Sequence, residues 1–519
     1  VTAHLAILPI LVPLGAGAVL LVAGDGRIRF GRAAGLASTT GQLLVALAIL
    51  ARAASGEVDV YALGNWPAPF GIVLVVDRLA ALMLVLTTVV ALTALAYAVC
   101  GWDRQGRHFH AFFQFQLMGL AGAFLTGDLF NLFVFFEVLL IASYCLLVHG
   151  HGPERLRAGV HYVVLNLIGS ALFLIAVSLL YAVTGTLNMA DLAVRVPQIA
   201  PADVPFAKAA ALVLLVVFAL KAALFPLYFW LPTGYAAAAA PVAALFAIMT
   251  KVGAYSIVRV FSLVFGPDAG PLALVASPWL LPVGLVTIAA GAAGALAAQT
   301  LRGLVAYLTV VSAGTIAAAF SLATAESLSA TLFYIVHSTL ATAALFLLAE
   351  LVAAQRGDAA DALRPAAPVA QPALLGALMM LLAASAAGLP PFSGFLGKVL
   401  ILQSALPTAH APSVWATLLV AGLLSVVVLA RAGSKLFWKV LPGAPVTAAG
   451  ASFAATAPAL LLAAAGVIIA VLAAPVKSFT DATAADLAAP SRYAERVLGS
   501  GYDPRATVRP LPAKEAPAR

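Results

Sequence analysis

Apolar residues occupy this chain in long blocks, and polar residues collect in the short gaps between them. A helix needs roughly 20 apolar residues to cross the hydrocarbon core of a bilayer. About fourteen such blocks can be marked, near 4–23, 33–52, 76–100, 109–126, 129–148, 159–183, 206–231, 241–265, 276–298, 303–323, 328–354, 371–403, 412–439 and 453–473. After Pro475 the chain turns polar and proline-rich as far as Arg519. Within that tail SRYAERVL, residues 491–498, reads as one surface helix and the remainder as loose chain. The fold class that follows is an all-α polytopic membrane protein with about fourteen transmembrane helices.

Composition agrees. Of 519 residues, 63% are hydrophobic and 9% charged, against about 25% charged in an average soluble chain. A length that would otherwise suggest several soluble domains therefore belongs to one bundle. The net charge of +8 does not point to nucleic acid, because most Lys and Arg sit in short gaps where they orient the chain. The basic gaps GDGRIRFGR, GWDRQGRH, HGHGPERLR, QRGDAADALR and RAGSKLFWK follow the first, third, fifth, eleventh and thirteenth blocks, the last of them closing its block. Even-numbered gaps such as ASGEVDVY and FGPDAG are neutral or acidic. This alternation places the odd-numbered connections in the cytoplasm and both termini outside, in a multi-pass cell membrane whose lipids are one partner.

Two blocks are too interrupted for plain helices. LKAALFPLYFWLP spans residues 220–232 and SAAGLPPFSGFLGK residues 385–398. Pro226 can be laid over Pro391, with Gly388 and Pro390 marking the second break. The two blocks lie an odd number of spans apart and so cross in opposite directions, which is the trace of an inverted repeat with a broken helix in each half. Unpaired backbone at such breaks is tolerated only where it lines a wet cavity.

Ionisable residues inside apolar blocks cost about 2.5–3.5 kcal/mol each on insertion scales. Glu137, Lys221, Lys251, His337 and Lys398 all stand well inside such blocks. Each alone has a bland reading. Lys251 could snorkel, His337 could be a core histidine, and Glu137 with Lys221 could be a structural pair. Together they point to proton relay, since a carboxylate holds a lysine's proton until the two separate and a histidine titrates near neutrality. Asp128, and Asp77 with Arg78, read as helix entrances. Arg259, Glu350, Arg431 and Lys435 fall near block ends and read as interfacial.

Other chemistry is thin. GFLGK resembles the end of a phosphate loop but has Phe392 and Val399 where that loop needs Gly and Ser or Thr. His149 and His151 form a lone HGH, and Cys100 and Cys145 are far apart. No cofactor and no metal is expected. The first block lacks a basic leader and a cleavage site, and reads as a retained span.

FQFQLMGLAGAFLTGDLFNLFVFFEVLLIASY, KAALFPLYFWLPTGY, PVAALFAIMTKVGAY, FYIVHSTLATAALFLLAE and GLPPFSGFLGK resemble, in this order, the antiporter-like subunits of Mrp-type multisubunit cation/proton antiporters, respiratory complex I and membrane-bound hydrogenases. The resemblance covers roughly residues 65–440, and YALGNWPAPFGIVLVVDRLAALM is most similar to the D subunit of the Mrp type. It implies two inverted five-helix repeats, 109–265 and 276–439, after an N-terminal section 1–108 and before a helix at 453–473 and a polar tail 475–519. It implies that Glu137 pairs with Lys221, that Lys251 is the central relay, that His337 bridges the halves and that Lys398 is the terminal site. One departure is GYAAAAAPVAAL after the seventh span, where the family has a more varied link. The function implied is a secondary transporter subunit, not an enzyme, which moves protons within a hetero-oligomeric Na⁺/H⁺ antiporter. The alternative is a proton-pumping subunit of a redox-driven complex of the NADH:quinone oxidoreductase or hydrogenase kind. A purely structural membrane subunit and a self-sufficient solute carrier are weaker readings.

Overall fold

Hydrocarbon offers a backbone no water, so each apolar block must satisfy its own amides and carbonyls by coiling. The computed structural model describes residues 2–441, 445–446 and 449–504. Its first section holds α1 (Leu8–Ala23), α2 (Ile28–Ala54) and α3 (Arg78–Ala98). There follow α4 (Phe109–Leu125), α5 (Leu129–Leu147), α6 (Pro153–Thr184), the short α7 (Met189–Arg195), α8 (Val204–Lys221), α9 (Trp230–Ala237) and α10 (Ala240–Leu263). The next stretch holds α11 (Ser277–Ala297), α12 (Leu301–Ser321), α13 (Ala325–Ala353), α14 (Pro372–Ala387), α15 (Ser393–Ala405) and α16 (Ala411–Gly433). Then come α17 (Phe453–Val471), α18 (Ala473–Leu487) and α19 (Pro490–Leu498). Among the described residues, twelve helices are long and apolar enough to cross a membrane, and the shorter apolar α4 and α14 bring the crossings to fourteen.

Helix starts follow their caps. Asp77 accepts a hydrogen bond from the Ala80 amide at 2.9 Å and Asp128 from the Asn131 amide at 2.9 Å, so both stand at helix entrances as expected. Thr324 and Ser327 form a reciprocal capping box at the start of α13. Both proline-interrupted blocks are broken. α8 stops at Lys221, the chain runs unwound past Pro226, and α9 resumes at Trp230. α14 ends on Gly388, whose φ of 84° is left-handed, and α15 resumes after Pro390 and Pro391. Proline lacks the amide that a helix interior requires and crowds the preceding turn.

Contacts sort the connections into two faces. His108 N donates to Asp25 at 2.7 Å, His149 Nε2 lies 2.8 Å from the Trp102 carbonyl, and Arg155 donates to the Ala237 carbonyl at 2.9 Å. The Leu301 amide meets the Asp361 carbonyl at 2.9 Å, and Gln371 Nε2 meets the Ala451 carbonyl at 3.1 Å. These bonds gather odd-numbered connections on one face. The opposite face carries a hairpin of β1 (Asp59–Ala62) and β2 (Val73–Val76), paired antiparallel with Asp59 opposite Val76. Nothing in the apolar blocks announced it, since two four-residue strands leave no periodic signal beside helices of twenty.

The tail after Pro475 corrects the expectation of loose chain. α18 and α19 pack over the even-numbered face. Thr480 and Asp481 meet the Ser329 hydroxyl at 2.9 and 2.6 Å, Asp486 pairs with Arg78, and Tyr502 donates to Asp191 at 2.9 Å. The expected surface helix lies within α19, whose Tyr493, Ala494 and Val497 are buried. Residues 505–519 lie outside the described residues. At the centre of the bundle run α10 and α13, buried on all sides. A helix apolar all round is stable in that position, and these two carry Lys251 and His337.

Candidate functional site

Glu137 stands mid-way along α5 and is half-buried. Its carboxylate accepts a hydrogen bond from the Ser170 hydroxyl on α6. Lys221 is the last residue of α8, buried at the first break. Its Nζ donates to Asn166 Oδ1 at 3.0 Å and lies 5.7 Å from the centre of the Phe136 ring, a cation–π contact. The Asn166 amide nitrogen donates to the Tyr162 carbonyl at 2.8 Å, which leaves its oxygen for the lysine. Glu137 and Lys221 make no direct salt bridge among the described residues, and each is held by a neutral side chain instead. The reason is α6. Asn166 and Ser170 stand one turn apart on it, and one takes the cation while the other takes the anion.

Lys251 on α10 is 1% exposed, which removes the snorkelling reading. Its Nζ donates to Ser312 Oγ on α12 at 3.0 Å, and that hydroxyl donates onward to the Thr309 carbonyl at 2.9 Å. His337 Nδ1 lies 2.9 Å from Ser393 Oγ, on the first residue of α15. Lys398 Nζ donates to the Ala387 carbonyl at 2.6 Å, so its charge sits on the negative end of α14. A cavity of about 30 Å³ is lined by Ser312, Tyr334, His337, Ser338, Thr342 and Lys398 among others. One water needs about 10–15 Å³ on this measure, so the cavity has room for one or two. It brings Ser312, the His337 imidazole and Lys398 to one space.

The backbone shapes both ends of this arrangement. At the first break the Trp230 indole donates to the Leu220 carbonyl at 3.0 Å, and the Phe225 amide donates to Thr287 Oγ1 at 2.8 Å. Side chains thereby satisfy groups that the helix released around Pro226. α10 touches this break through Gly253, where a Cβ would fall 2.4 Å from the Ala222 nitrogen. No hydrogen bond joins Lys221 to Lys251 among the described residues. At the second break a Cβ on Gly394 would meet the Ser385 carbonyl at 1.9 Å and His337 Nε2 at 2.7 Å. Only glycine lets α15 approach the imidazole this closely.

Several residues escaped the sequence reading. Asn166, Ser170, Ser312 and Ser393 hold the ionisable groups. Polar residues spaced four apart on an otherwise apolar helix, as Asn166 and Ser170 are, were the available signal. Arg259 is not interfacial as expected. It is 2% exposed and its guanidinium grips Asp77 with two bonds, one of 2.7 Å to Oδ1. Glu350, also expected at the interface, is mostly buried and paired with Arg302. Arg431 is exposed, as expected. On the odd-numbered face an open depression of about 680 Å³ reaches Trp230 and Thr233 of α9, with Glu154, Arg157, His161 and Arg302 on its walls. Among the described residues no group of three or more metal-ligating side chains comes together.

Known proteins resemble this chain along most of its length. Residues 126–427 match the family model described as NADH:quinone oxidoreductase/Mrp antiporter, TM. The D-type subunit of a probable K⁺/H⁺ antiporter of Rhizobium meliloti (strain 1021) is 43% identical over 96% of this chain and 98% of its own length. The D-type subunit of a Na⁺/H⁺ antiporter of Alkalihalophilus pseudofirmus is 37% identical over 84% of this chain and 87% of its own. Among solved structures, a chain of the Mrp complex from Dietzia sp. DQ12-45-1b superposes with a TM-score of 0.85 at 27% identity, covering 96% of this chain and 99% of that one.

Proposed function

The chain belongs to the NADH:quinone oxidoreductase/Mrp antiporter transmembrane family, and from that premise we propose that it is the D-like, proton-moving subunit of a multisubunit monovalent cation/proton antiporter. It is a transporter subunit rather than an enzyme. Protons move along Glu137, Lys221, Lys251, His337 and Lys398, within repeats at 109–265 and 276–439. The odd-numbered connections face the cytoplasm and both termini lie outside.

The observation that carries this reading is the shared cavity of about 30 Å³ against which Ser312, His337 and Lys398 all stand. A bare ammonium in hydrocarbon would cost several kcal/mol, and each lysine here instead has a ligand that still lets its proton leave. Lys221 rests on a neutral amide and Lys251 on a hydroxyl, not on a carboxylate. Glu137 is held by Ser170 on the same helix whose Asn166 holds Lys221. Its approach or withdrawal sets when the lysine releases its proton.

The cation is either Na⁺ or K⁺, as the names of the two relatives divide between them. The test is cation-triggered collapse of a pH gradient in inverted vesicles from a host lacking antiporters, with the chain beside the subunits encoded with it. Collapse by either cation, lost in Lys221→Ala, is the expected result. An assembled complex that collapses the gradient with neither cation overturns the antiporter reading. It would favour the redox-driven pump, which the family's own description includes.

A further inference from the structure

Outside the relay, an apolar groove of about 310 Å³ runs between α14 and α16, which pack against each other. Its walls include Met379, Ala383 and Ala387 of α14 and Val426, Leu429 and Ala430 of α16. From Gly376, at its outer end, to Ala387 a helix rises about 16 Å, close to half of the roughly 30 Å hydrocarbon core. The groove therefore spans one leaflet, from the odd-numbered face inward to the second break.

The end of α16 at that face is basic. The helix closes in a π-helical turn, Ser434–Trp438, and Arg431, Lys435 and Lys439 follow one another at intervals of four. Arg431 adjoins the groove-lining Ala430, and Lys439 adjoins Trp438, which also lines the groove. Arg32 and Arg302, at the same face, pair with Asp103 and Glu350. Arg431, Lys435 and Lys439 form no salt bridge among the described residues, and the sequence holds no acidic residue between Asp361 and Asp481. Their place at a helix C-terminus accounts for part of this charge. It does not account for Arg431, which is exposed nearly two turns deeper than Trp438. Trp438 is itself exposed, as aromatic residues at membrane interfaces are. A lone guanidinium facing hydrocarbon is costly, and a phosphate is the anion that satisfies it best.

We propose that this groove binds an anionic diacyl phospholipid from the leaflet at the odd-numbered face. One acyl chain fills the groove, the second lies along the exposed Leu423 and Val427 of α16, and the phosphate meets Arg431, Lys435 and Lys439. A partner's helix is about 10–12 Å across and does not enter between two helices that touch, whereas an acyl chain does. The deep end of the groove is Ala387, whose carbonyl holds Lys398. The lipid thus packs against the turn at the second break.

Photolabelling tests it. The complex, assembled with its partner subunits, is placed in phosphatidylcholine vesicles that carry a little phosphatidylglycerol with a diazirine in one acyl chain. After illumination the adducts are mapped by mass spectrometry. Adducts on the groove walls of α14 and α16 should be about tenfold denser than on the exposed face of α6 at Leu167, Ile168 and Ile175. Unlabelled phosphatidylglycerol should displace them, and inorganic phosphate should not. Each basic residue contributes about fivefold to the hold on an anionic lipid, so the variant with Arg431→Gln, Lys435→Gln and Lys439→Gln should label at the α6 level. Should that variant fail to assemble, Lys439→Gln alone, at an exposed position, should label about fivefold less than wild type. Groove labelling no denser than on α6 in the wild-type complex would overturn the proposal and leave the groove to bulk lipid or a neighbouring subunit. Displacement by inorganic phosphate would overturn it in favour of a free anion, and labelling that survives loss of the basic residues would overturn it too.

Discussion

Asn166 and Ser170 face two opposite charges from one helix: Asn166 receives the Lys221 ammonium at 3.0 Å and Ser170 donates to the Glu137 carboxylate. The glutamate and the lysine are thereby held apart by neutral groups instead of being locked together. A tight buried ion pair resists separation, whereas an amide and a hydroxyl hold each charge loosely enough to be exchanged.

Asn166→Leu therefore separates two ideas about Lys221. Removing the amide leaves a buried cation without its ligand, a cost of about 1–3 kcal/mol. If Asn166 only filled space, the leucine variant would transport normally. The expected outcome is an assembled complex with cation-driven proton flux reduced about tenfold, measured in inverted vesicles against wild type.

Glu137→Ala should insert and assemble, because a half-buried carboxylate with one hydroxyl donor contributes little to packing. Transport should fall to background. Glu137→Asp keeps the charge and should retain part of the flux. Full flux in the alanine variant would remove Glu137 from the proton path.

Gly394→Ala tests the second break. The added methyl falls on the Ser385 carbonyl and the imidazole, and overpacking of this kind costs about 1–3 kcal/mol. Thermal unfolding in detergent should show the loss. A methyl that pushes α15 away also separates Ser393 from His337, so flux should fall together with stability.

Outside the spans, Asp103 in the loop between α3 and α4 meets Arg32 at 2.6 Å and His110 at 3.2 Å. Burial pushes its carboxyl up, but the bonds from Arg32 and His110 outweigh burial and hold it below its ordinary 3.8. A carboxyl depressed on folding stabilises fully above its unfolded value, and the contribution is lost as pH falls through the folded value. Asp103→Ala should lower the unfolding midpoint by a constant amount from about pH 5 to pH 8, and the gap to wild type should close only in strong acid. A gap that varied across the neutral range would assign the effect to another group.

The fold was legible because hydrocarbon imposes one rule on every block. Fourteen crossings, two breaks and the sharing of one face by odd-numbered connections all follow from apolar length, proline and the spacing of Lys and Arg. The candidate ionisable residues stood out for the same reason, since charge is conspicuous against Phe and Leu. Their ligands were not. A serine such as Ser312 looks the same in sequence whether it bonds back to its own helix or receives a lysine, and here it does both. Arg259 was misplaced because its partner lies 182 positions away and at the start of another helix. The tail was misread because its hold on the bundle comes from scattered contacts of Asp481, Asp486 and Tyr493, not from an apolar stripe.

Lys398 closes the last turn of α14 with its own ammonium, on the Ala387 carbonyl. When that nitrogen gives up its proton it can still donate, but without the charge that a helix C-terminus favours. The hinge at Gly388 to Pro391 then loses part of what fastens it. Loading and unloading a proton at this position is thus also tightening and loosening a joint between two half-helices. On the path proposed above, chemistry at Lys398 becomes movement of the backbone, and movement is something that a neighbouring subunit can feel.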